Sequence, residues 1–463
     1  MSIFNSKLGI EAVSSILKDV HGSVRFIGIL GSGMRPLAEL LVRLGQSVSG
    51  WDRLLEQGTV KQIEGVTLAP CYATRWQEVK LAVYSLAMDS EDTEITSAIA
   101  HGVPLVSRAE LLGAVMSGFN RRISVSGSHG KSTTTALIEH ILRECGSSPT
   151  AVSGATLTSG NSYAIGNTDI IVAEACEYKD SFLSLCPTHQ IITSVELDHT
   201  DYFTSIDHIR RSFLEAAMRS RVAIINADDK VARSIVDELE GSSATYTGKV
   251  ITYGKADDAD YRLSCISSSC GTTYFRIESG CRVFDLSTSL IGEYNLYNIT
   301  AAVVLCDQLL VPRDMIAAAV CSFLGIDRRA TRIALIDGVP VFYDYAHHPT
   351  EIGAFISALK ERYGTVSVIF KPHTYTRTMS LWAEFIAELS KSDFTIILDI
   401  YPARESPIEG VTSENLAKMI KNAHYSKDID ACKTALTYPC GAIALLGAGD
   451  MSRVVEDFRK IQQ

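Results

Sequence analysis

Short apolar runs recur along the chain, each ending in a glycine-rich or acidic turn before a stretch of helical spacing. Val24-Arg25-Phe26-Ile27-Gly28-Ile29 leads into Gly31-Ser32-Gly33 and then a helical pattern through Leu44. Ser47-Val48-Ser49-Gly50 ends at Asp52, and the run from Leu81 to Tyr84 ends at Ser85. The unit repeats with Ile123-Ser124-Val125, then Ile170 to Ala173, Ile191 to Val195 and Val222 to Ile225. It repeats again with Val341 to Tyr343, Val366 to Phe370, Thr395 to Leu398 and Ala442 to Leu446. Strand–turn–helix–strand repetition of this kind predicts parallel sheets with helices packed on them. From about residue 245 to 292 the pattern alternates, as in a small antiparallel insertion. A polar joint at Asn120-Arg121-Arg122 and a new start near Ala330 divide the chain into three α/β segments, 1–119, 120–329 and 330–463. The first and third are expected to be Rossmann-like and the middle one of the P-loop ATPase type.

Composition narrows the function. The 463 residues are 46% hydrophobic and 21% charged, ordinary for a globular protein, and long enough for several cores. The net charge is −10 with no dense Lys/Arg run, which argues against a nucleic-acid partner. No run of about 18 apolar residues occurs, so no membrane span is expected. The first 22 residues read as a short amphipathic helix and not a signal peptide. The 11 cysteines form no C-x-x-C pair. They are expected as reduced thiols of a cytoplasmic protein, not as a disulfide framework or zinc site.

The strongest chemical signal is Gly127-Ser128-His129-Gly130-Lys131-Ser132-Thr133, between a predicted strand and helix. Glycines let backbone N–H groups close on phosphate oxygens, and the helix N-terminus favours negative charge. Lys131 would neutralise the terminal phosphates and the Ser132 hydroxyl would ligate Mg²⁺. Val125 stands where the strict Walker pattern has glycine, so the loop is a shorter variant. Acidic residues and a histidine follow two neighbouring strands: Glu174 and Glu177, then Glu196, Asp198 and His199. Hard oxygen ligands of this type suit Mg²⁺. Gly28-Ile29-Leu30-Gly31-Ser32-Gly33, with Asp52 about 20 residues on, is compatible with a nucleotide diphosphate at a helix N-terminus. In the third segment, Asp344-Tyr345-Ala346-His347-His348-Pro349-Thr350-Glu351 and His373-Thr374-Tyr375-Thr376-Arg377-Thr378 gather polar groups on neighbouring strand ends. Adjacent histidines on an extended strand face opposite ways, so a substrate contact is expected there in preference to a shared metal.

Taken in order, these motifs resemble the Mur ligases of peptidoglycan synthesis over nearly the whole chain. Ala173-Glu174-Ala175, Asn226-Ala227-Asp228-Asp229, Gly292-Glu293-Tyr294-Asn295 with Asn298, Arg328-Arg329 and Tyr401-Pro402-Ala403 share in the resemblance. His347 to Glu351 and Tyr375 to Thr378 point to the muramate-binding branch. The resemblance implies an ATP- and Mg²⁺-dependent acid–amino-acid ligase. It would join L-alanine to UDP-N-acetylmuramate through an acyl phosphate, or, as the alternative, join a peptide or another amino acid to the same nucleotide. It further implies that Lys131 contacts the β- and γ-phosphates, that Ser132 and Glu174 bind one Mg²⁺, and that His199 helps bind a second. Asn295 and Asn298 would flank the adenine, Arg329 and Asp344 would reach ATP, and His348 and Arg377 would bind substrate. The UDP moiety would lie near Gly31, Ser32, Gly33, Asp52 and Ser85 of the first segment. The chain departs from the family pattern at Leu30, Leu86, Thr374 and Arg404, and keeps hydroxyls at Ser128 and Ser132 where threonines are usual. Monomer and homodimer are both compatible with the sequence.

Overall fold

The first apolar run shows how one strand serves two cores. In β1 (Ser23–Ile27) alternate side chains point to opposite faces, so Val24 and Phe26 enter one apolar cluster while Ile27 enters another. Arg25 lies on the Ile27 side and is fully buried. In the computed structural model, the described residues are 8–57, 62–86, 88–89, 91–157, 160–200, 202–241, 246–403 and 405–462. The first seven residues and Arg404 lie outside them; the expected N-terminal helix runs Ile10–Lys18.

Three sheets carry the chain. The first contains β1, β2 (Val48–Trp51), β3 (Val66–Leu68), β4 (Val79–Tyr84) and β5 (Leu105–Ser107), in the order β3-β2-β1-β4-β5 and all parallel. The strand order reverses beside β1, and the Gly28–Gly33 turn leaves the carboxyl end of that strand. A crevice at such a switch point is where open α/β sheets bind ligands.

The second sheet has ten strands: β6 (Arg121–Ser126), β7 (Thr150–Val152), β8 (Tyr163–Ala164), β9 (Ile170–Glu174), β10 (His189–Ile192), β11 (Val222–Asn226), β12 (Lys249–Gly254), β13 (Tyr261–Ser269), β14 (Thr272–Ser279) and β15 (Arg282–Thr288). Their order is β15-β14-β13-β12-β11-β10-β6-β9-β7-β8, which sets β6 between β9 and β10. The expected antiparallel insertion is corrected at its start. β12 pairs in parallel with β11 and extends the main sheet, because the Ile251-Thr252-Tyr253 run is buried beside Ile224 to Asn226. The polar joint is polar for a reason: Asn120 N donates to Asp169 Oδ1 at 2.8 Å, and Arg122 Nε donates to Cys186 O at 2.6 Å.

The third sheet runs β16-β17-β21-β18-β19-β20, from β16 (Thr331–Ile336), β17 (Val339–Asp344), β18 (Val366–Phe370), β19 (Phe394–Ile397), β20 (Ala423–Tyr425) and β21 (Ala442–Leu446). Only β16, which the apolar pattern does not announce, is antiparallel to its neighbour. Both faces are covered. Val368, Phe370, Ala444 and Leu446 enter one cluster, and Ile369, Ile443 and Leu445 the other.

The chain forms two compact units, Met1–Cys265, Phe275–Leu286 and Tyr297–Phe323 in one, and Ile266–Tyr274, Ser287–Leu296 and Leu324–Gln463 in the other. In the first unit a single apolar cluster joins β1 residues to Ile192, Ala223 and Ile225 of the second sheet. The ten cysteines whose side chains are described are free.

His189, half-buried at the start of β10, gives a pH prediction. Burial, and then the nearby Arg121 charge, push its imidazole down to about 4. An unfolded histidine titrates near 6.5, so between these values the unfolded chain binds more protons than the native one. Stability is therefore complete above about pH 6.5 and falls on acidification toward pH 4. His189→Gln is expected to remove up to about 3 kcal/mol of that dependence. Urea denaturation at pH 7 and pH 4.5 checks this; equal slopes in the two proteins would contradict it.

Candidate nucleotide-binding site

The phosphate loop leaves β6 and enters the helix Lys131–Glu144. Two glycines are required by space and backbone. Gly127 has φ +140° and Gly130 φ +84°, where L side chains are strained. A Cβ on Gly127 would stand 2.0 Å from Thr193 Oγ1, and one on Gly130 would stand 2.3 Å from Asn298 Oδ1. The loop is tied to the segment after β10. Ser128 N donates to Ser194 O at 2.9 Å, His129 N to Ser194 Oγ at 3.0 Å, and Glu196 N to Ser128 Oγ at 2.8 Å. His129 Nε2 lies 3.4 Å from Glu196 Oε2. Thr133, in the first turn of the helix, is buried, and Thr134 Oγ1 donates to Asn298 Oδ1 at 3.4 Å.

Two carboxylates from the end of β9 divide the work. Glu174 Oε2 accepts from Ser132 Oγ at 3.0 Å, Ser153 Oγ at 2.9 Å and Gly154 N at 2.8 Å. Glu177, only 1% exposed, lies 3.0 Å from Lys131 Nζ through its Oε2. Burial opposes the charge on Lys131, but Glu177, with smaller help from Cys176 and Glu174, outweighs it and holds the ammonium protonated. Lys131 Nζ also donates to the Gly127 and Ser128 carbonyls, so the cation is folded back into its own loop. His199 sits at φ +51° with Nε2 3.8 Å from Glu177 Oε1, and its ring is 4.9 Å from that of Tyr178. Lys131, Ser132, Glu174 and His199, read from separate motifs, are thus one cluster. Glu177 reads in the sequence only as one of several acids, and Ser153 carries no signal there at all. Nothing in a sequence marks a serine 21 residues before a glutamate as its partner.

Chemically the cluster fits a magnesium nucleotide. The loop exposes a helix N-terminus and an ammonium for phosphate oxygens, and a hydroxyl shares a carboxylate, a donor set of hard oxygens. The buried charge on Glu177 keeps the lysine cationic.

On the first sheet, Asp52 does not point away as a free acceptor. Its Oδ2 accepts from Leu30 N at 3.1 Å and its Oδ1 from Leu54 N at 3.0 Å, so it braces the Gly28–Gly33 turn. Leu30 packs against the main cluster and Leu86 against the smaller one beside Ile27. Gly31 and Ser32 lie in the turn, Gly33 caps the helix Met34–Arg43, and Ser85 follows β4. Arg108, unmarked in the sequence, comes close to Gly33: its guanidinium is 3.1 Å from where a Cβ would stand.

The second unit holds its own cluster. Asp344 ends β17, with Oδ2 accepting from Ala330 N at 2.7 Å and Oδ1 from Ala346 N at 2.8 Å. Burial pushes its carboxyl up, and Arg329 pulls it back. Arg329 Nη1 lies 3.6 Å from Glu351 Oε1. Asn295 Nδ2 donates to Ile291 O at 2.8 Å. The histidine pair is not on an extended strand. His348 is the N-cap of the helix Pro349–Tyr363, forming a capping box with Glu351, and His347 precedes it in the loop. The strand ends at Asp344, and Pro349 at the first helical position starts the helix there. Arg377 lies on the short helix Tyr375–Ser380, where Thr376 N donates to Glu405 Oε2 at 2.8 Å.

Comparison with known proteins agrees along the chain. Residues 23–120 match the Mur ligase family catalytic domain, 125–306 the Mur ligase middle domain, and 328–452 the Mur ligase glutamate ligase domain. A UDP-N-acetylmuramate–L-alanine ligase from Desulfotalea psychrophila is 36% identical over 453 residues, covering 94% of this chain and 97% of that protein. Among solved structures, a UDP-N-acetylmuramate–alanine ligase from Thermotoga maritima superposes with TM-score 0.77 at 24% identity, over 95% of this chain and 99% of that one. A murein peptide ligase from Psychrobacter arcticus does so with TM-score 0.67 at 21% identity, over 95% and 98%. From the phosphate loop, the strand-end acids and these matches together, the chain belongs to the Mur ligase family.

Proposed function

We propose that the protein is an ATP-dependent ligase that joins L-alanine to UDP-N-acetylmuramate, in the cytoplasm, as a step in building the peptidoglycan precursor. The observation that carries the reading is the pairing of Lys131 with buried Glu177 beside the Ser132–Glu174 pair, inside a Mur ligase sequence. Bound ATP would supply the phosphoryl group that activates the acceptor carboxylate as an acyl phosphate, leaving ADP, and the attacking amine would displace inorganic phosphate to form the amide. The chain's share is positioning and charge neutralisation. The loop amides from Gly127 to Ser132, with His129 and Thr133 at its edges, would hold the phosphates. Lys131 would exchange its loop carbonyls for phosphate oxygens. Ser132 and Glu174 would hold one Mg²⁺, with His199 directed to a second. Asn298, against Gly130, and Asn295 would border the adenine. Gly31, Ser32, Gly33, Asp52 and Ser85 would take the UDP moiety. Arg329, at the junction, and Asp344, His348 and Arg377 of the third segment would serve ATP and substrate. The divisions 1–119, 120–329 and 330–463 are proposed on the same basis.

The test is phosphate release with ATP, Mg²⁺ and UDP-N-acetylmuramate against L-alanine, glycine, L-serine and a tripeptide. Release dependent on both the nucleotide sugar and L-alanine is expected. A tripeptide preference would move the assignment to a peptide-joining ligase of the same family. No release above the rate without nucleotide sugar would sink both.

A further inference from the structure

Lys179 and Asp180 are consecutive non-glycine residues in the left-handed region, at φ +51° and +57°. Such residues cost about 1–3 kcal/mol each and persist only where their surroundings dictate them. Asp180 supplies the clamp: Ser212 Oγ donates to its Oδ1 at 2.5 Å and the Tyr202 hydroxyl to its Oδ2. With the backbone held this way, Glu177 turns inward onto Lys131 while Lys179 turns outward. Lys179 Nζ donates to Leu86 O at 3.0 Å, in the loop after β4 and next to Ser85. It also lies 5.2 Å from the centre of the Tyr178 ring, which in turn contacts His199. One short segment therefore touches the phosphate loop, the His199 ring and the loop of the first sheet. Lys179 is exposed, and the strained backbone is held by Asp180, not by the Lys179 hydrogen bond, which is left to act on the loop it reaches.

We propose that Lys179 is a positioning residue for the acceptor nucleotide. Its ammonium fixes the Leu86 carbonyl, and with it the Ser85 end of the loop, against the segment that carries Glu177 and Tyr178. The inference rests on the reading of Ser85 as part of the UDP-sugar site. It predicts a split between two Michaelis constants that a purely structural role would not produce.

Lys179→Met is expected to raise KM for UDP-N-acetylmuramate about tenfold, the loss of one charge-assisted hydrogen bond, with KM for ATP within about twofold and the thermal midpoint unchanged. Lys179→Arg is expected to restore most of the loss. Unchanged constants, equal rises in both, or a loss that follows a lowered midpoint without rescue by arginine would overturn the inference. Calorimetric titration with UDP-N-acetylmuramate alone makes the same comparison without turnover. Tenfold weaker binding by the methionine variant supports the inference even if the wild type releases no phosphate, an outcome that would instead overturn the assigned reaction.

Discussion

Lys131→Met is expected to lower turnover by at least about 10²–10³-fold. The ammonium is the only side-chain cation that the structure places within the phosphate loop among the described residues, and it is already oriented by two loop carbonyls and Glu177. Phosphoryl transfer asks little covalent chemistry of the protein, so losing the charge that balances the phosphates removes a large part of what it contributes. The substitution also leaves Glu177 buried without its counter-charge, which destabilises the fold. Lys131→Met with Glu177→Gln removes both charges and separates the effects. The double variant is expected to unfold near the wild-type temperature and still release almost no phosphate. Turnover above a tenth of wild type in a folded variant would contradict the role given to Lys131.

The second large effect is on stability. Arg25 and Glu94 form an ion pair at 2.7 Å with side chains 0% and 8% exposed. Arg25 Nη2 also donates to Ala69 O at 2.6 Å, while Arg25 Nε and Nη1 and Glu94 Oε2 have no hydrogen-bond partner among the described residues. Burial pushes the Glu94 carboxyl up, and Arg25 draws it back. Two charges held this deep gain from each other roughly what their desolvation costs, so removing one is worse than removing both. Glu94→Ala is expected to lose about 3–5 kcal/mol, whereas Arg25→Met with Glu94→Leu should fall within about 1 kcal/mol of wild type or above it. Urea denaturation of the three proteins decides. A double variant as unstable as the single one would show that the pair stabilises the fold beyond its mutual compensation.

Arg25 also marks where reading the sequence stops. A strand pattern of Val24, Phe26 and Ile27 tolerates one polar residue and says nothing of where its side chain ends; Glu94, 69 residues away, settles that. The same holds for Asp52, whose spacing from the glycine turn suggests a ligand contact, yet whose carboxylate holds Leu30 N. His347 and His348 read as strand residues because Val341 to Asp344 precede them, but Pro349 converts the position to a helix cap. For Arg25 and Asp52 the local pattern was right about the element and silent about the partner; for the histidines it missed the element as well.

What the sequence determined by itself was the main parallel strands and the phosphate loop. Both depend on local spacing: apolar runs set strands, and glycines at 127 and 130 permit backbone angles that other residues resist. The tertiary structure decided which polar residues meet. By placing β6 between β9 and β10, the sheet order brings Lys131 and Ser132 to Glu174, Glu177 and His199, residues up to 68 positions apart. Spacing along a chain fixes backbone geometry within a few residues; only strand order, set by the burial of both sheet faces, fixes which strand ends become neighbours.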